Sequence, residues 1–263
     1  MGEFFEILGP LFNLAASDVA AFVAVFARIS GLVFLLPGIG EQAVSPRVRL
    51  AFAFAIGLVS YPMLRNDILI EDTSIALYTP ILITEAIIGL TLGLATRFMI
   101  YALQIAGAII AQNASISQIF GQVVASDTQT PITALLTLAG ITLALSMGIH
   151  FEAVKLFILS YDIFVFGELT GLKSIAMWVA DSGARVLSFA LSLSAPFLAL
   201  AVAYNLAIGA ANRAMPQLAV ALVGAPAITG AGILLLALSS TVILTHWAQT
   251  LGVGFFGILT ISP

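Results

Sequence analysis

Three charged side chains lie inside long apolar runs of the sequence, where charge is rare. Arg28 falls within the run 19–36. Glu85 and Arg97 both fall within the run 75–111. A charge at the centre of a membrane helix costs about 2.5–3.5 kcal/mol on insertion scales, so such residues face protein or water rather than lipid. The pattern fits either an ion or substrate pathway or ion pairs at contacts between subunits, and the sequence leaves both interpretations open.

The spacing of Glu85 and Arg97 limits how these charges can be neutralised. In a regular helix, residues twelve positions apart are separated by about 120° around the axis and by about 18 Å along it. The two side chains therefore cannot pair with each other if the helix is regular. Each needs a different partner.

No arrangement of side chains in the sequence predicts catalysis. His150 and Glu152 could suggest a metal, but the only other histidine is His246 and the chain has no cysteine. No ordered Ser/His/Asp set stands out, and an intramembrane enzyme would need acids or histidines clustered on facing helices. We therefore predict no catalytic, cofactor-binding or metal-binding residue, and a protein that is not an enzyme.

Composition indicates an integral membrane protein. Of the 263 residues, 61% are hydrophobic and 8% are charged, against about 25% charged residues in a soluble domain. The apolar runs are broken by Gly and Pro instead of alternating, which favours helices over a β-barrel. We predict an all-α protein with about six long, Gly/Pro-kinked helices arranged as hairpins that pack into a larger helical complex. The net charge of −4 is scattered, so nucleic acid is not an expected partner.

The apolar runs suggest how the chain is organised. The run 75–111 would extend about 55 Å as a straight helix, against a hydrocarbon core of about 30 Å, so it either bends at a glycine or leaves the bilayer. Within it, Gly89 and Gly93 form a GxxxG pattern that indicates close helix packing. A polar connector is expected at 167–182, followed by a hairpin of two apolar runs joined by a turn at 212–217. Lys and Arg are divided equally between the two sides, so the positive-inside rule does not decide the orientation.

Residues 112–130, here called the polar stretch, separate two apolar runs. They carry many amides and hydroxyls but a single charge, Asp127. Unpaired amides are costly in hydrocarbon, so the composition fits a loop that lines a passage; a plain connecting loop is the alternative. Phe120 is the natural stopper of such a passage, because Ile119 adds apolar bulk and Gly121 adds backbone freedom.

Six segments, taken in order, resemble the FliR family of flagellar biosynthesis proteins, whose counterparts in virulence secretion systems are the T-type export-apparatus proteins. No single segment is a catalytic signature, and the order and spacing of all six carry the likeness. The segments are RISGLVFLLPGIG (28–40), VSPRVRL (44–50), EAIIGLTLGL (85–94), LQIAGAIIAQ (103–112), GIHFEAVKLFILSYDIF (148–164) and ANRAMPQLAV (211–220).

The resemblance implies a non-enzymatic subunit of a protein export gate in the bacterial inner membrane, within the flagellar basal body. Its implied partners are P- and Q-type gate subunits, the larger A- and B-type export proteins, unfolded secreted proteins and membrane lipid. Residues 1–180 would resemble a P-type subunit and residues 181–263 a Q-type subunit. The polar stretch would be a plug that closes the pore at rest. Implied plug or pore residues are Gln112, Ile119, Phe120, Gly121 and Gln122, and the implied tip of the C-terminal hairpin, which would touch the B-type protein, is formed by Arg213, Pro216 and Gln217.

Two departures from the family pattern affect details. The family often has Asp–Pro in the plug, whereas this chain has Asp127–Thr128, and no basic residue directly follows Pro226. Two other functions stay open at this point. One is a small-solute secondary transporter, which would show an inverted repeat that we do not find; the other is the equivalent subunit of a virulence-type injectisome.

Overall fold

The computed structural model describes residues 2–65, 68, 75–113, 130–168, 172–214 and 220–255. These residues form helices and connections, with no strand among them, which confirms the predicted all-α class. We number the helices in chain order as α1 (Gly2–Leu35), α2 (Pro46–Leu64), α3 (Ile75–Asn113), α4 (Pro131–Ser146), α5 (Ile149–Ile163), α6 (Leu172–Ala214) and α7 (Val220–Phe255).

Five of these helices contain segments long and apolar enough to cross a membrane. The pair α4 and α5 makes a sixth candidate span if the two helices count as one, although they meet at a bend of 69°. Gly148 lies at that bend with φ 82°, a left-handed conformation that glycine adopts without a Cβ clash. The predicted number of about six apolar helices is confirmed.

The run 75–111 lies in one continuous helix, α3, of 39 residues, and its expected bend or exit from the bilayer stays a prediction. One segment differs from the sequence prediction. The connector expected at 167–182 is mostly helical, because α6 begins at Leu172. Its polar residues do not break the helix: Arg185 Nη2 donates a hydrogen bond to Ser182 Oγ at 2.6 Å, one turn away.

The described residues fall into two compact units. The first contains those of Met1–Arg97, Leu145–Ala180 and Gly254–Pro263. The second contains those of Phe98–Ala144 and Asp181–Val253. Helix α3 therefore contributes to both units. The division at 180/181 into parts that resemble two different subunits remains a prediction.

In the first unit, α1 and α3 run in the same direction and touch along a row of glycines. A Cβ at Gly31 would lie 2.7 Å from the Leu90 backbone nitrogen, and one at Gly93 would lie 2.9 Å from the Leu32 carbonyl oxygen. A Cβ at Gly89 would collide with the Arg28 carbonyl. These contacts confirm the GxxxG prediction of close packing at Gly89 and Gly93.

Helix α2 runs antiparallel to α1 and packs on it through aromatic rings. The rings of Phe22 and Tyr61 meet edge to face at 5.8 Å, and those of Phe26 and Phe54 at 6.2 Å. Edge-to-face contacts of this kind add to the area that the rings bury. Asp18 of α1 also links the two helices, because its carboxylate accepts hydrogen bonds from Tyr61 Oη in α2 and from Arg65 directly after α2.

In the second unit, α3 and α4 form an antiparallel hairpin. A Cβ at Gly107 would lie 2.7 Å from the Thr133 Cα, so the two backbones are nearly in contact there. Further along, Gly140 faces Leu103 and the ring of Trp247 from α7. The Trp247 ring is fully buried, and its Nε1 donates a hydrogen bond to the Met99 carbonyl at 2.8 Å. The polar stretch includes the last two residues of α3 and the connection to α4, of which residues 114–129 lie outside the described residues.

Candidate functional site

The centre of the candidate site is a buried ion pair between α1 and α3. Arg28 Nε lies 2.6 Å from Glu85 Oε2, and Arg28 Nη2 lies 2.9 Å from Glu85 Oε1. This is the bidentate geometry in which a guanidinium binds a carboxylate most strongly. Both side chains have 0% exposure. The two predicted residues Arg28 and Glu85 are therefore brought together by the fold.

Helix α5 and the residues that follow it complete the coordination of the guanidinium. Arg28 Nη1 donates to Ser160 Oγ at 3.0 Å, and Nη2 donates to the Phe164 carbonyl at 3.3 Å. The Tyr161 ring lies against the guanidinium carbon, 3.7 Å from its centroid, in a cation–π contact. Ser160 in turn donates to the Phe157 carbonyl at 2.6 Å, which fixes the direction of its hydroxyl.

The carboxylate is also held from the same segment. The Gly167 N–H donates to Glu85 Oε1 at 3.0 Å, and Tyr161 Oη donates to Oε2 at 3.4 Å. Gly167 has φ 72°, so glycine suits the turn that aims its N–H at the carboxylate. We call Arg28, Glu85, Ser160, Tyr161 and Gly167 the buried charge cluster.

The buried charge cluster holds α1, α3 and the end of α5 together. Removing one member of a buried pair typically costs about 3–5 kcal/mol, because the other charge stays buried without a partner. Here the pair joins α1 to α3, and its hydrogen bonds tie the end of α5 to both. Each oxygen of the carboxylate already accepts from an N–H or O–H donor, which is the surrounding of a structural carboxylate. Among the described residues, no group of three or more His, Asp or Glu could hold a metal.

Arg97 has a separate partner, as the spacing predicted. Its guanidinium pairs with the Glu41 carboxylate, in the connection between α1 and α2. The side chains are partly buried, at 14% and 24% exposure. The backbone of the same connection is held by Arg49, whose Nη2 donates to the carbonyls of Glu41 at 2.6 Å and Val44 at 2.9 Å. The prediction that Glu85 and Arg97 need different partners is confirmed.

The other predicted site residues are not brought together by the described part of the chain. Gln112 is exposed in the last turn of α3, and Arg213 is exposed in the last turn of α6. The remaining predicted residues, which are Ile119, Phe120, Gly121, Gln122, Pro216 and Gln217, lie outside the described residues. Their assignment to a plug and to a hairpin tip stays a prediction.

The ends of the polar stretch that are described are well anchored. Thr130 precedes α4, and its Oγ1 accepts the Thr133 N–H at 3.3 Å. Its carbonyl accepts the Ala134 N–H at 2.9 Å, so Thr130 has the bonds of an N-cap residue. On the other side, Asn113 Nδ2 donates to the Ile109 carbonyl at 2.8 Å. Together with the Gly107–Thr133 contact, these bonds hold the base of the α3–α4 hairpin.

Sequence reasoning missed four residues that the structure shows to be important. Ser160 and Tyr161 lie in a segment noted only for its resemblance, yet they are adjacent polar groups in an apolar run, which is a usable signal for a buried polar contact. Glu41 follows the Pro-Gly turn of a loop, where an acidic residue is unremarkable. Trp247 is one of 2 tryptophans in the chain, and the large apolar ring of a tryptophan is a usable signal for burial.

Comparison with known proteins gives consistent matches. A model of the family described as bacterial export proteins, family 1, matches residues 19–253. The flagellar biosynthetic protein FliR of Caulobacter vibrioides is 30% identical over 242 residues, which cover 90% of this chain and 96% of the relative. FliR of Escherichia coli K12 is 26% identical over 211 residues, 80% of each chain. FliR of Bacillus subtilis strain 168 is 29% identical over 213 residues, 78% of this chain and 80% of the relative.

Proposed function

The chain belongs to family 1 of the bacterial export proteins, and we propose that it forms part of a conduit for unfolded proteins that is closed at rest. It is a multi-pass membrane protein and a subunit of the flagellar type III export apparatus, where it acts with other export components. The observation that carries this function is the family match over residues 19–253, together with relatives that are all flagellar. Its proposed location is the inner membrane, at the flagellar basal body.

The proposed direct partners are the P- and Q-type gate subunits and the larger A- and B-type export proteins. Large apolar side chains that the chain leaves uncovered support a role inside a larger assembly. In α2, Val59 is 73% exposed, and Leu206 in α6 and Leu238 in α7 are 70% and 71% exposed. Either lipid or neighbouring helices can cover such faces. A gate built from several subunits in a membrane would be in contact with both.

The polar stretch is the proposed plug of the conduit. Two features support this role. The stretch connects the α3–α4 hairpin, whose base is held by the Gly107–Thr133 contact and the Thr130 cap. Uncharged polar side chains can exchange water for protein partners at small net cost, whereas a buried ion pair would hold the stretch closed.

The buried charge cluster has a proposed role in assembly instead of conduction. A pathway residue must present its charge to a cavity, but Arg28 and Glu85 have 0% exposure and bind each other bidentately. The pair sets α5 against α1 and α3, so it fixes the shape that the subunit offers to its neighbours. This role involves no covalent chemistry, in keeping with a subunit that is not an enzyme.

Deletion and purification test the proposed function together. In the bacterium that encodes the chain, removal of its gene should abolish motility and export of flagellar proteins, and a tagged copy should restore both. The tagged copy, extracted in mild detergent, should elute as a large hetero-oligomer that contains the P- and Q-type subunits. A monomer or a small homo-oligomer with normal export would contradict the gate assignment and favour a solute transporter.

A further inference from the structure

Residues 36–45 join α1 to α2 and are here called the α1–α2 loop. Hydrogen bonds within this region hold its backbone in one shape. Arg49 Nη2 donates to the Glu41 carbonyl at 2.6 Å. The Gly40 N–H donates to the Leu36 carbonyl at 2.7 Å, and Leu36 itself is buried, with 1% exposure. Because the loop is held in this way, its contacts can restrain the helices that it touches.

The α1–α2 loop binds α3 through the Glu41 side chain. The carboxylate pairs with both terminal nitrogens of Arg97: Nη1 donates to Oε1, and Nη2 donates to Oε2 at 3.1 Å. Arg97 is the last residue of α3 that belongs to the first unit, and the helix continues from Phe98 into the second unit. The loop therefore binds α3 at the position where this helix passes from one unit to the other.

The same loop touches the end of α4 through Gly38. A Cβ at Gly38 would lie 2.8 Å from Leu145 Cδ1 and 3.2 Å from Leu145 Cγ, so the leucine side chain packs directly on the glycine backbone. Leu145 lies at the second passage between the units, because the residues of α4 up to Ala144 belong to the second unit. Its carbonyl accepts the Gly148 N–H at 3.1 Å, at the bend between α4 and α5. The α1–α2 loop thus contacts both helices of the α3–α4 hairpin.

Two of the ion pairs that hold α3 differ in their access to water. Arg28 and Glu85 have 0% exposure, whereas Arg97 and Glu41 are 14% and 24% exposed. Separation of a buried pair leaves two charges without partners and without water, which is strongly unfavourable. When a partly exposed pair separates, water can solvate both charges, so the cost is much smaller. The Glu41–Arg97 pair can therefore open and close while the Arg28–Glu85 pair stays formed.

We propose that the α1–α2 loop is a releasable clamp on the α3–α4 hairpin. While Glu41 binds Arg97, the loop holds both helices and keeps the hairpin, together with the polar stretch, in its resting position. When the pair separates, α3 and α4 can move together, because the Gly107–Thr133 contact keeps them joined. This inference rests on the proposed function of the polar stretch as the plug of the conduit.

Hydrogen exchange in the purified export complex, together with leakage of resting cells, tests this proposal. Glu41→Gln keeps the shape of the side chain and removes its charge, and the yield of complex should be unchanged. Amide exchange in residues 94–101 and 142–148 should become about fivefold faster, which is the factor that a partly exposed ion pair contributes. Leakage should rise toward that of a deletion of residues 119–121, which removes the centre of the proposed plug. Glu41→Asp keeps the charge and should keep most of the restraint.

Two matched pairs of variants provide the controls. Asp18→Asn breaks the exposed ion pair with Arg65 at the opposite end of α2, and it should change neither exchange in the two segments nor leakage. Leu145→Ala removes the apolar contact of the clamp and should act in the same direction as Glu41→Gln. Leu138→Ala, at a position of α4 that is 68% exposed, should have no effect.

Three results would overturn the proposal. One is unchanged exchange in an assembled Glu41→Gln complex, because the ion pair would then restrain neither helix. Another is loss of the complex in both Glu41→Gln and Leu145→Ala, which would make the loop a structural connection and not a releasable one. The third is a tight membrane with Glu41→Gln while the deletion of residues 119–121 leaks. If that deletion itself stays tight, the proposed plug is wrong, and the exchange rates alone then decide whether the loop clamps α3 and α4.

Discussion

The carbonyl oxygen of Arg28 lies against Gly89 where α1 crosses α3, so close that any Cβ at position 89 would collide with it. The position of a Cβ is set by the α3 backbone and the carbonyl belongs to the α1 backbone, so no side-chain rotation can relieve the collision. The close approach also brings the Arg28 side chain within reach of Glu85, one turn before Gly89 on α3. The glycine and the buried ion pair are therefore two parts of a single helix contact.

We expect Gly89→Ala to destabilise the first unit. Overpacking typically costs about 1–3 kcal/mol, which exceeds the gain of about 0.8–1 kcal/mol that alanine brings to a helix. Gly183→Ala is the matched control, because a Cβ there would meet nothing within 4 Å, and it should be neutral or stabilising. Thermal unfolding of the two purified variants in detergent would measure the difference. Equal melting temperatures would show that α1 and α3 are not in close contact.

We expect Arg28→Leu and Glu85→Leu to be strongly destabilising alone and less so together. Each single change leaves one buried charge without its partner, at a cost of about 3–5 kcal/mol, whereas the double change removes both charges. The free energy of unfolding and the yield of assembled complex should both show this coupling. The exposed pair Lys155–Glu152 provides a control cycle with a coupling below about 1 kcal/mol.

The same variants separate an assembly role from a pathway role. If Arg28→Leu assembles in normal amounts and only the rate of export falls, the buried charge cluster belongs to a pathway and the proposed fastening role is wrong.

Deletion of residues 119–121 should make resting cells leaky while the export complex stays assembled. This prediction follows from the proposed plug, in which Phe120 fills the pore, Ile119 adds apolar bulk and Gly121 adds backbone freedom. Dye uptake or ion leakage in non-exporting cells would be measured alongside the amount of purified complex. Phe120→Leu, which keeps apolar bulk, is the control and should stay nearly tight. A tight membrane combined with a destabilised complex would instead assign Phe120 to packing.

A photo-crosslinker placed at Arg213 or Gln217 should capture the B-type export protein. Arg213 is exposed in the last turn of α6, before the connection to α7, and the tip of this hairpin is the proposed contact. A crosslinker at Met177, an exposed residue near the other end of α6, is the control and should not capture it. Capture at Met177 but not at the tip, in a strain that exports normally, would contradict the placement.

The sequence by itself determined the class of this protein and the demands that its charges make. A chain with 61% hydrophobic and 8% charged residues has to satisfy its backbone N–H and C=O groups within helices once it enters a bilayer. The helical period alone showed that Glu85 and Arg97 need different partners. The glycine spacing at Gly89 and Gly93 predicted a close helix contact, because only glycine lets two backbones approach so far.

Only the tertiary structure decided which groups meet those demands. Arg28 and Glu85 are separated by 57 positions in the chain, and a buried guanidinium requires an acceptor without specifying where in the sequence it lies. The helix that begins at Leu172 was likewise missed, because lone polar residues in that segment resembled a connector. Lone polar residues fit either a connector or the exposed face of a helix, and only the packing shows which face of the helix is covered. The sequence shows that a charge within an apolar run needs a partner. The long-range packing of α1, α3 and α5 determines which residues become the partners of Arg28 and Glu85.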